Sequence, residues 1–90
     1  MYAKTTKLIN PSGLHARPAS VFVGEAKKYK SKVTIRKVEL GAEPKNAKSI
    51  IMLLALALKT GAEIEIAADG EDETQAVDNL VALVETGFGE

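Results

Sequence analysis

Ninety residues at 9.6 kDa suffice for one compact domain, not for two with separate cores. Hydrophobic residues make up 46 % and charged residues 27 %, which excludes a disordered chain, and 12 basic against 12 acidic side chains exclude bulk attraction to nucleic acid or membrane as the main activity. With no cysteine and one histidine, disulfides, thiolate nucleophiles and multi-histidine metal clusters are ruled out. One domain over residues 1–90 is expected, with no metal and no cofactor. Met1 to Leu8 lacks the apolar stretch of a secretory signal. The longest apolar run, Ile50 to Leu58, is far short of the roughly twenty residues a spanning helix needs. A soluble, cytoplasmic chain is expected.

Tyr2 to Ile9 reads as a strand with Leu8 and Ile9 at its apolar end. Asn10, Pro11, Ser12 and Gly13 form a dense turn cluster. Ala19, Phe22, Val23 and Ala26 then fall on one helical stripe, with Pro18 tolerated in the first turn. This helix is expected from Ala16 to Tyr29 or Lys30. Lys32 to Val38 alternates as a half-buried strand. Gly41 and Pro44 mark a connection, with a short strand expected over Lys45 to Ala47. Leucine, alanine and methionine make Ile50 to Leu58 a helix. Glu63 to Ile66 alternates as a fourth strand. Asp72 and Gln75 form a capping-box pattern ahead of an amphipathic helix through Val84, stopped by Gly87. The order is β-α-β-β-α-β-α. Three striped helices and one-sided strands predict a two-layer α+β sandwich with an antiparallel or mixed sheet.

The chemistry concentrates in Gly13-Leu14-His15-Ala16-Arg17-Pro18-Ala19-Ser20. An imidazole keeps a nucleophilic nitrogen at neutral pH. A helix start offers unpaired N–H donors and a positive dipole end. Arg17 adds a planar cation matched to phosphate, and Gly13 permits close approach. A lone histidine is most often a surface or capping residue. Here its neighbours make a place where a phosphoryl group can be bonded and its charge offset.

That octapeptide resembles the active-site signature of the histidine-containing phosphocarrier family, HPr, of the bacterial phosphotransferase system for sugar transport. Lys48-Ser49-Ile50-Ile51-Met52-Leu53-Leu54 is similar to the family's regulatory serine motif. The two lie in the family's order, and the resemblance covers essentially the whole chain. It implies an open-faced β-sandwich: a four-stranded antiparallel sheet with three helices on one face. It also implies a phosphocarrier rather than a freestanding enzyme. His15 accepts a phosphoryl group on Nδ1 from phosphorylated enzyme I, whose donor is phosphoenolpyruvate. The group then passes to enzyme IIA domains of sugar permeases. Arg17 offsets the phosphoryl charge, and Ser12 and Ala16 are assigned to phosphoryl stabilisation; such a serine more often only shapes a turn.

Ser49 reads first as a plain helix N-cap. The resemblance makes it a phosphorylation target of HPr kinase/phosphorylase, which creates a partner for a catabolite-control transcription factor in some bacteria. A phosphate there gains from the helix dipole. Most of Ile50 to Leu58 is expected in the core, yet nine apolar residues leave no polar face. The resemblance places Ile50, Ile51 and Leu54 on a partner-docking patch. Met52 and Ala57 depart from the glycines usual there in many relatives, and the 38–46 stretch is longer than usual. Six of the twelve basic residues lie between Lys27 and Lys37, a solvated face rather than a nucleic-acid platform. A monomer is expected, because a carrier shows one face to several partners in turn. The alternative is a regulatory HPr paralogue acting through Ser49; regulatory relatives that lack the histidine make His15 and Arg17 the discriminating residues.

Overall fold

A computed structural model describes residues 1–90. It contains β1 (Tyr2–Lys7), α1 (Ala16–Ala26), β2 (Lys32–Lys37), β3 (Lys45–Asn46), α2 (Ile50–Ala55), β4 (Glu63–Asp69) and α3 (Glu73–Glu85). A 3-10 turn, Gly87–Gly89, follows α3. The four strands form one antiparallel sheet in the order β1-β4-β2-β3. β4 is central, pairing Lys7 with Glu63 on one side and Lys37 with Ile64 on the other. The ends of β1 and β2 therefore lie at the same end of the sheet as the start of β4.

Val33, Ile35, Ile64, Ile66 and Ala68 face the core, because alternation places them on one side of the pleat. The three helices cover that side. Phe22 of α1, Leu53 of α2, and Val77, Leu80 and Val84 of α3 are all fully buried against it. No helix is long and apolar enough to cross a membrane.

Several boundaries move for identifiable reasons. β1 ends at Lys7, and Ile9 is exposed. α1 stops at Ala26, the last residue of its buried stripe, short of Tyr29. β4 runs on to Asp69, because Ala67 and Ala68 continue the pairing with β1 and β2.

α2 ends at Ala55 rather than Leu58, since Ala57 takes a left-handed backbone, φ 51°, that no helix continues. Within α2 only Leu53 is buried. The expectation that most of this run is core is thus corrected. Asp72 does occupy the N-cap of α3, but its carboxylate makes no cap bond. Instead it accepts from the Lys30 and Ser31 amides, at 2.9 and 3.0 Å, and from the Ser31 hydroxyl.

Candidate functional site

The segment from Leu8 to His15 leaves the sheet at the end shared by β1, β2 and β4. It is held there by the 58–62 segment that follows α2. The Leu8 amide donates to Ala62 O at 2.9 Å, and the Gly61 amide donates to Leu8 O at 2.7 Å. The Leu14 amide donates to Leu58 O at 3.0 Å. The Thr60 hydroxyl faces two carbonyls, Asn10 O and Pro11 O. Gly13 is required by this contact: its φ is +62°, and an added Cβ would lie 2.6 Å from Leu58 O.

His15 is the N-cap of α1, extended at φ −128° and ψ 162°, and its side chain caps no helix N–H. The imidazole is half-buried. Ala16 then turns the chain with φ 53°, a left-handed conformation that alanine rarely holds. Pro18 has no N–H, so the Ala16 and Arg17 amides are the donors that helix geometry leaves unpaired in the first turn. Arg17 is exposed and takes part in none of the six ion pairs. His15, Ala16 and Arg17 thus stand together at a helix N-terminus, with Arg17 itself the free cation, an arrangement suited to an anion.

Ser12 is placed differently from the others. Its amide and hydroxyl both donate to the Glu90 carboxylate, at 3.2 and 2.9 Å. Asn10 adds a third donor to Glu90, at 2.9 Å, and a bond to Gly13 O at 2.8 Å. These contacts, with the Asn10 amide foremost, hold the Glu90 carboxyl below the usual carboxylate range. Sequence reading placed Asn10 in the turn cluster but not its bonds to Gly13 and Glu90, and it missed Thr60 and Glu90 as parts of this loop.

Ser49 is the N-cap of α2, its hydroxyl accepting from the Met52 amide at 3.3 Å. Lys48 beside it donates to Tyr29 O at 2.6 Å. No hydrogen bond joins Ser49 to the 10–15 segment; the link is α2 itself, which packs on α1. Ile50, Ile51, Met52 and Leu54 are exposed, Ile51 at 76 %. A contiguous apolar helix face is thereby presented to solvent.

Comparison with known proteins decides the family. The family model described as PTS HPr component phosphorylation site matches residues 2–86. The chain belongs to the HPr phosphocarrier family of the phosphotransferase system. It is 48 % identical over 86 residues to the phosphocarrier protein HPr of Haemophilus influenzae, covering 96 % of this chain and 98 % of that one. It is 45 % identical over 74 residues to the HPr-like protein Crh of Bacillus subtilis, covering 82 % and 84 %. Among solved structures it superposes on HPr from Thermoanaerobacter tengcongensis with a TM-score of 0.92, at 39 % identity over 100 % of this chain and 98 % of that one. The HPr fold expected from the sequence is the fold observed, and the phosphocarrier reading stands ahead of the Crh-like one.

Proposed function

We propose that residues 1–90 form one HPr domain that carries a phosphoryl group on His15 in the cytoplasm. It receives the group from phosphorylated enzyme I and delivers it to enzyme IIA domains. The Nδ1 lone pair attacks phosphorus as the bond from phosphorus to the donor breaks, and that electron pair leaves with the donor. The reverse exchange, with the acceptor's nucleophile attacking, unloads the carrier. Turnover belongs to the partners, so the chain is a carrier and not an enzyme by itself. It uses no cofactor and no metal, and it acts as a monomer without nucleic acid.

The observation that carries this reading is His15 at the N-terminus of α1 beside an Arg17 with no carboxylate partner. The helix donors and guanidinium meet the charge of a phosphoryl group on the imidazole. The exposed Ile50, Ile51 and Leu54 supply the apolar surface on which both partners dock in turn. Ser49, already a helix cap, is the position where a kinase/phosphorylase adds a second phosphate. That charge on the docking helix opposes acidic partners and creates the surface a catabolite-control factor reads.

Intact mass after mixing the chain with enzyme I, magnesium and phosphoenolpyruvate tests the proposal. A single acid-labile phosphate is expected on the wild type and none on His15→Ala. Absence of the adduct with an active cognate enzyme I would overturn it.

A further inference from the structure

The Glu90 side chain occupies three donors of the loop before His15. One carboxylate takes the Ser12 amide, the Ser12 hydroxyl and the Asn10 amide. No lysine or arginine pairs with it. The site therefore holds an oxyanion with neutral donors alone.

The chain around it is built for this placement. Asn10 is buried, and its Nδ2 is shared between Gly13 O and Glu90 while its Oδ1 has no partner. The amide is thus oriented to donate at the expense of its own buried acceptor. On the other side, Gly87, Phe88 and Gly89 hold successive positive φ angles of 70°, 56° and 78°. Gly87 is buried beside Ile9 and Asn10, and Phe88 packs against the core. The Glu90 amide donates back to Gly87 O at 3.0 Å. This turn directs Glu90 onto Ser12, so the contact is not that of a loose surface side chain.

A phosphoryl group on His15 is a second oxyanion three residues away, and Ser12 cannot give the same two donors to both. Two anions on one small loop also repel. We infer that Glu90 is a positioning residue that competes with the His15 phosphoryl group for the Ser12 donors, disfavouring the loaded state and so raising its tendency to pass the group on. Loading the carrier costs the Ser12–Glu90 bonds or forgoes Ser12. This inference rests on His15 being the phosphoryl acceptor.

The test is the loading equilibrium. The full chain is equilibrated with enzyme I at fixed phosphoenolpyruvate and pyruvate, and the ratio of loaded to free carrier is read by intact mass. Glu90→Ala should raise that ratio roughly three- to tenfold, the span of one ordinary net hydrogen bond at an exposed site. Glu90→Gln, which keeps an acceptor and loses the charge, should fall between it and wild type. In a Ser12→Ala background the Glu90→Ala gain should shrink to about half or less of its wild-type size, because the hydroxyl is gone and only the backbone amide is still contested. In nitrogen-15 spectra, loading should shift the Ser12 amide and the Asn10 side-chain amide in wild type. An unchanged loading ratio in Glu90→Ala, or an equal gain without the Ser12 hydroxyl, would refute the competition while leaving His15 as acceptor. A wild-type chain that takes no phosphate would refute both readings.

Discussion

Gly13 and Ala57 both hold left-handed backbone around the junction that positions His15, and they tolerate it very differently. At Gly13 the conformation comes with a close approach, because a Cβ would meet the Leu58 carbonyl at 2.6 Å. That neighbour is backbone, fixed by its bond from the Leu14 amide, and cannot step aside cheaply. Gly13→Ala should therefore combine left-handed strain with overpacking, a loss of about 2–4 kcal/mol in urea denaturation. Ala57 already bears a side chain at φ 51°, at an exposed position just past the helix cap. Ala57→Gly should remove most of that strain and, after the added freedom of the unfolded glycine, gain about 0.5–1 kcal/mol. Opposite signs from two substitutions between the same residue types are the outcome to look for. A loss at both positions would show that the Ala57 backbone is not strained.

At the scale of elements, α2 is where residue pattern and burial part company. Its six residues are all apolar, yet Leu53 alone faces the core. A helix this short has room to bury one turn's worth of side chain between α1 and the sheet, and the rest stands in solvent. Ile51→Glu should consequently leave the unfolding midpoint within error, since the side chain is 76 % exposed. The same substitution should raise the KM for enzyme I on the order of tenfold with kcat little changed, because a charge then sits in an apolar contact that must dry on docking. A fall in kcat at unchanged KM would argue against docking through this face.

The same element shows where a sequence stops being readable. The stripes of α1 and α3 repeat at helical period over three turns, so they are legible without any structure. Nothing in an alanine announces a left-handed backbone, and the end of α2 is therefore hidden. His15, Ala16 and Arg17 are neighbours in the chain, so their grouping at the helix start could be read directly. Glu90 meets Ser12 from 78 residues away, through a turn whose positive φ angles include a phenylalanine. No local spacing encodes that contact.

Across the whole molecule, Asp72 ties the start of β2 to the start of α3, 41 residues apart. It looks like the cap of its own helix and is not, because the Lys30 and Ser31 donors reach its carboxylate first. The Ser31 hydroxyl, then the Lys30 amide, hold its pKa down to about 2 from 3.8. A depressed carboxyl binds its proton more readily in the unfolded chain, so it stabilises the fold above the unfolded value. That contribution is complete above pH 3.8 and is lost as the pH falls toward about 2. Glu25 and Asp78 are lowered too, chiefly by Tyr29 and Lys4, and act in the same direction. Melting temperature against pH should therefore fall on the acid side in wild type. In Asp72→Asn it should begin lower at neutral pH and decline less, the two curves converging near pH 2. Gly70 lies close against the same junction, since an added Cβ there would lie 2.6 Å from the Ser31 hydroxyl oxygen. Curves that stay parallel down to pH 2 would mean that the Asp72 charge contributes nothing, and that its oxygens act only as neutral acceptors for β2.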